Sequence, residues 1–168
     1  MKSEKLEIHL FLTLFFVFCV FFTSNGHISE SHANPRVWQD HVSGYAIGGY
    51  DPVAYYTQGK AVKGRDAHQA RVGGNSWKFY NVGNLEVFER HPQAYVPGFS
   101  GYDVFALSKG DIIKGLPTIW VKHKEKIYFF QNIINLSLWR DDPDAYIEKA
   151  KERQSRLDRY LSTHTLLD

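Results

Sequence analysis

The chain has 168 residues, a formal net charge of +2, 15% aromatic residues and a single cysteine. A charge so close to neutral excludes the basic footprint of a nucleic-acid-binding domain, and the length is that of one domain once a targeting segment is set aside. The aromatic content is enough to build a core without covalent staples.

In chain order, Lys2 and Lys5 precede the apolar run Leu10–Phe22 and the small polar stretch Thr23–Gly26. Positive, apolar and small residues in that order are those of a secretory signal over residues 1–26, removed before His27 or, later, before Asn34. The alternative is a retained, tilted anchor, since the run is shorter than the roughly 20 residues that span a bilayer. The chain is thus expected to be exported, periplasmic or secreted, touching a membrane only through an uncleaved leader. Cys19 lies inside this segment, so the mature chain would have no disulfide, thiol nucleophile or thiolate metal site.

Residues 27–44 are polar and aperiodic and read as a linker. Asp51-Pro52 then marks a capped helical turn through Tyr56, with Gly59 as its stop. Gln69–Val72 and Ser76–Tyr80 alternate in polarity about Gly73-Gly74-Asn75, which predicts a hairpin. Asn81 is positioned to cap a helix running to Arg90, with Leu85 and Phe88 inward and His91-Pro92 as its end. A short helix is expected within "GFSGYDVFALSKG". Thr118–Lys122 and Lys126–Phe130 predict a second hairpin turning through His123-Lys124-Glu125. Asn132 or Asn135 opens a helix ending near Trp139-Arg140. Asp144 opens the last helix, with Tyr146, Ala150, Leu157 and Leu161 at helical spacing. No internal repeat is legible. The expected fold is α+β, with small antiparallel hairpins, short helices and a longer C-terminal helix, divided into a domain over 45–143 and a helical extension over 144–168.

Four blocks, "GYDPVAYYTQGKAVKG", "SWKFYNVGNLEVFERHPQAY", "GFSGYDVFALSKG" and "IWVKHKEKIYFF", together resemble the exported proteins that carry a YHS domain, over roughly Gly44 to Asp144. In metal-binding members of the wider group the resemblance would place cysteines at Ala54, Tyr80 and Asn84. Exported members often have another cysteine at Asp103. None of these positions is a thiol here, so the resemblance implies the scaffold without its thiolate cage.

Other chemistry is thinly represented. His41, His68, His91 and His123 form no H-x-H or i, i+4 pair, and solvent or capping roles suit them. Ser76, Ser100 and Ser108 lack a G-x-S-x-G elbow, and Gly48-Gly49 lacks the rest of a phosphate loop. Asn135-Leu136-Ser137 matches a glycosylation triplet. Asp51 reads as a cap and Asp103 as a turn carboxylate. The sharper alternative is a pocket in which Tyr50, Asp51, Tyr55, Tyr102 and Asp103 bind a small polar ligand or a hard metal. The expected function is therefore a non-enzymatic exported binding or accessory module without a bound cofactor. The alternatives are a copper- or other transition-metal-handling protein or metal-dependent enzyme using histidine and Asp103, and an interaction module whose C-terminal helix contacts a protein partner.

Overall fold

The computed structural model describes residues 37–164. The leader, Cys19, both cleavage sites and the side chain of Leu161 lie outside the described residues. Within them no helix is long and apolar enough to cross a membrane.

The fold is α+β and consists of two two-stranded antiparallel sheets, each with short helices attached. A left-handed turn at Ile47–Gly49 leads to helix α1 (Ala54–Thr57). Strands β1 (Arg65–Val72) and β2 (Asn75–Phe79) follow, then helices α2 (Val82–Arg90) and α3 (Pro92–Tyr95). The same order then recurs. A turn at Gly98–Gly101 leads to α4 (Val104–Lys109), strands β3 (Leu116–His123) and β4 (Lys126–Phe130), α5 (Ile133–Trp139) and α6 (Pro143–Glu152). Helix α7 (Gln154–His164) has no counterpart.

The recurrence extends to individual hydrogen bonds, so the reading that the chain has no internal repeat is overturned. Ile47, Gly48 and Gly49 have φ of +46°, +62° and +72°; Phe99, Ser100 and Gly101 have +50°, +58° and +81°. The N–H of Asp51 bonds to Val62 O and that of Gly64 to Gly49 O, just as Asp103 N–H bonds to Ile113 O and Gly115 N–H to Gly101 O. Each hairpin is interrupted at one place, between Arg65 and Gln69 in the first half and between Leu116 and Trp120 in the second. Asn81 accepts from Asn84 N–H and Asn132 from Asn135 N–H, both at 2.8 Å, so each hairpin passes into its helix through an asparagine cap.

Each half is closed by a fully buried aspartate. Asp51 Oδ1 accepts from the N–H groups of Val53 (2.8 Å) and Ala54 (3.2 Å), and its Oδ2 accepts from Tyr80 N–H and Asn84 Nδ2, each at 2.7 Å. Asp103 Oδ1 accepts from Ala106 N–H (2.9 Å), and its Oδ2 from Gln131 N–H (2.8 Å) and Asn135 Nδ2 (2.7 Å). One carboxylate thus ties the start of a helix to the end of a hairpin and to the first turn of the next helix. Charge-assisted bonds of this kind offset the cost of burying the charge.

The halves meet across Tyr55 and Trp38. The Tyr55 ring lies 5.1 Å from Trp120 and 5.4 Å from Phe129, and its hydroxyl donates to Pro117 O at 2.9 Å. Trp77, Phe79 and Phe88 fill the core of the first half; Ile127, Phe129, Phe130 and Trp139 fill that of the second.

Several boundaries differ from the sequence expectation. The first hairpin turns through Gly73 and Gly74 alone, with Asn75 paired to Val72, and β1 starts at Arg65 instead of Gln69. Val37 and Trp38, in the stretch read as linker, are buried, and the backbone of Trp38 joins the two left-handed turns through Ser100 O and Ile47 N–H. The second hairpin turns through two residues, Lys124 and Glu125 (φ +45° and +62°), while His123 pairs with Lys126; a two-residue turn of this hand matches the twist of the strands. The C-terminal helix begins at Pro143 because Asp142 accepts from Ala145 N–H, which leaves the Asp144 carboxylate free to bond His123 and Lys124. It also breaks at Arg153, so α6 and α7 are separate helices that bury Ile147, Ala150 and Leu157.

Replacing Asp51 or Asp103 with alanine strands buried donors, and each substitution is expected to cost about 3 kcal/mol or more. Urea denaturation of the two variants should give similar losses, whereas a much smaller loss for one of them would contradict the equivalence of the halves.

Candidate functional site

The five residues singled out in the sequence do not gather in one place. Tyr50 and Asp51 belong to the first half, and Tyr102 and Asp103 are their counterparts in the second. Both carboxylates are fully buried, and every oxygen accepts at least one hydrogen bond from within the chain. Tyr55 is buried at the junction, where desolvation raises its phenol far above the ordinary value. Tyr102 is buried, with Tyr160 of α7 edge-on at 6.3 Å. Burial, and then the neighbouring Tyr160, push the Tyr102 phenol up to about 12.

Tyr50 alone of the five lines a cleft of about 430 Å³ on the first half. The cleft is lined by three glycines, Gly48, Gly49 and Gly64, by Tyr45, Tyr50, Lys63 and Lys78, by Trp38, Asp40 and Ser43, and by Leu116, Pro117 and Thr118 of the second half. Glycine is required at Gly64 by contact: a Cβ there would stand 2.5 Å from the carbonyl carbon of Lys78 and 2.6 Å from the nitrogen of Phe79. The Lys63 ammonium lies 4.1 Å from the centre of the Tyr50 ring and donates to Gly48 O at 2.6 Å. The Lys78 ammonium lies 4.1 Å from the centre of the Tyr45 ring and pairs with Asp66, whose hydrogen bond raises the lysine above its ordinary value. Asp40 is engaged by its own turn, accepting from the N–H groups of Val42 and Ser43 and from the Ser43 hydroxyl. The cleft therefore presents two cations seated on aromatic faces beside an apolar wall. These lysines escaped the sequence reading, although "VKG" at 62–64 and "IKG" at 113–115 carry the recurring Lys-Gly pair.

The groups aimed at Asp51 and Asp103 are N–H donors, which a cation would have to displace. No three histidine, cysteine, aspartate or glutamate residues gather as ligands among the described residues. His41 Nε2 is 3.1 Å from the Lys114 ammonium, and His123 Nε2 is 2.9 Å from Asp144. The amide of Asn135, in the glycosylation triplet, is committed to Asp103.

The buried phenols make stability depend on alkaline pH. A phenol raised above its ordinary value near 10 stabilises the fold in its neutral form, so that contribution is whole below pH 10 and is lost as pH rises toward about 12 for Tyr102 and Tyr56. Denaturation measured across this range should show a falling midpoint, and Tyr102→Phe should make the fall shallower.

Comparison of the chain with protein-family models, with curated proteins and with solved structures returns no match.

Proposed function

We propose that the chain is an exported, non-enzymatic binding module of the YHS type, and that its polar ligand sits in the cleft at Tyr50. The observation that carries this reading is the cleft itself, with three glycines, paired lysine and tyrosine side chains, and Leu116 and Pro117 in its lining. A cleft of this size that sets charged groups on aromatic rings suits recognition of a small polar ligand.

Two further features support it. The leader has the order of an export signal. Of the positions at which the resemblance would place thiolates, Asn84 spends its side-chain amide on the Asp51 carboxylate, joining the backbone N–H groups of Ala54 and Tyr80 there, so a hydrogen bond stands where the resemblance would place a thiolate.

The test is an amide NMR titration of the mature chain with carboxylates, phosphates, amino acids and sugars, and with calcium, magnesium and copper salts. Binding of an organic ligand should move the signals of Gly48, Gly49, Tyr50 and Gly64, and Tyr50→Ala should weaken it about tenfold, the equivalent of roughly 1.4 kcal/mol. Metal salts that instead move Tyr80, Asn84, Gln131 and Asn135 in a saturable way would overturn the reading in favour of a metal site.

A further inference from the structure

The two halves offer the same loop surface. The chain's own N-terminal segment touches both, with Trp38 O accepting from Ile47 N–H and the Trp38 ring facing Gly48, but only in the second half does it donate to the carbonyls of the turn. In the second half Ser100 O accepts the Trp38 N–H at 3.3 Å. Gly101 O accepts twice, from Gly115 N–H at 3.1 Å and from the indole Nε1–H of Trp38 at 2.8 Å. Lys114 donates to Gln39 O at 3.1 Å, with its ammonium 5.6 Å from the centre of the Trp38 ring. Residues Trp38 and Gln39 thus lie across Ser100, Gly101 and Lys114 as a short extended peptide would.

The counterparts of those three residues are Gly48, Gly49 and Lys63, and all three line the cleft. Here Lys63 folds back onto Gly48 O, the carbonyl equivalent to the one that receives a peptide N–H in the second half. Gly49 O accepts from Gly64 N–H at 3.0 Å and has no second donor among the described residues. The lysine and the two carbonyls are therefore the same groups in the same order, with no donor from the N-terminal segment on either carbonyl and with Trp38 and Tyr45 beside them in the cleft lining.

We propose that this cleft binds an extended segment of a partner protein carrying a tryptophan, in the manner in which the second half holds Trp38. The inference rests on the reading that the cleft is the ligand site. A peptide N–H takes Gly48 O and displaces the Lys63 ammonium, which turns to a carbonyl of the peptide as Lys114 turns to Gln39. The indole N–H takes the second acceptor position of Gly49 O. Tyr45, Leu116 and Pro117 give the ring an apolar surround, and aromatic anchors of this kind dominate the energetics of peptide recognition.

The test uses the full mature chain and a capped synthetic peptide of the sequence of residues 36–41, which carries this chain's own Trp38. Amide NMR should show saturable shifts at Gly48, Gly49 and Lys63 with a dissociation constant in the millimolar range, as expected of a short flexible ligand. The same peptide with alanine for tryptophan should bind at least about tenfold more weakly. Lys63→Ala, an exposed substitution that leaves the core intact, should weaken the tryptophan peptide about fivefold. Shifts confined to Ser100, Gly101 and Lys114 would mean exchange with the chain's own Trp38 and would overturn the inference. So would equal binding of the alanine peptide. Inorganic phosphate is titrated alongside: phosphate binding at the cleft without peptide binding would sink the inference while leaving the cleft as a ligand site, and silence of the cleft toward every probe, the organic panel included, would sink both.

Discussion

Everything else in the architecture hangs on two carboxylates taken out of water. A buried charge is costly unless donors surround it, and Asp51 and Asp103 each meet theirs on three different pieces of backbone. The donors come from a helix start, a strand end and the first turn of a following helix, so the position of one side chain sets the mutual placement of all three. Hairpins of this length have little stability alone, and a polar clamp with every atom satisfied makes each one specific. The asparagines at the helix starts fit the same scheme, one capping its own helix and the next reaching across to the aspartate.

Repetition of this clamp leaves the molecule nearly symmetric, and the segments outside the repeat remove the symmetry. Trp38 seals the left-handed turn of the second half, and α7 sets Tyr160 against Tyr102, whereas Tyr146 of α6 on Phe105 only repeats Tyr95 of α3 on Tyr56. Past that pair the end of α1 is open: Thr57 to Lys60 are exposed, and Gly59 has open space around it. The cleft lies at the turn whose carbonyls take no donor from the N-terminal segment. Its polarity agrees with that, since Lys63 is exposed while its counterpart Lys114 is half-buried under the N-terminal segment.

Local chemistry was readable in the sequence where one residue type decides the outcome. Asn81 and Asn132 as caps, Gly73-Gly74 as a hairpin turn and Gly59 as a helix stop all follow from backbone needs that few residues meet. The Lys124-Glu125 turn was misplaced by one residue because neither side chain advertises positive φ. The repeat was hidden for a different reason. Its shared residues, such as Gly49-Tyr50-Asp51 with Gly101-Tyr102-Asp103 and Lys63-Gly64 with Lys114-Gly115, are few and scattered, and the spacing between partners drops from 52 to 51 after the first helix of each half. The large core residues had meanwhile exchanged freely, Trp77 for Tyr128 and Phe88 for Trp139, as packing permits when volume is roughly kept. Tyrosines beside aspartates suggest a single pocket in the sequence, and only the accounting of hydrogen-bond donors reveals that both carboxylates are engaged within the chain and lie in different halves.

The clamp also shapes how the chain would find its fold. Asp51 closes on Tyr80 and Asn84 across 29 and 33 residues, and Asp103 on Gln131 and Asn135 across 28 and 32. The bonds that join one half to the other, from Tyr55 to Pro117 and from Trp38 to Gly101, span 62 and 63. Loop closure favours the shorter spans only slightly, but each of them is reinforced at once by a neighbouring hairpin and cap. Two folding nuclei of almost equal reach are thereby written into one polypeptide, and docking through Tyr55 and Trp38 is the step that turns a pair of similar halves into a single cooperative body.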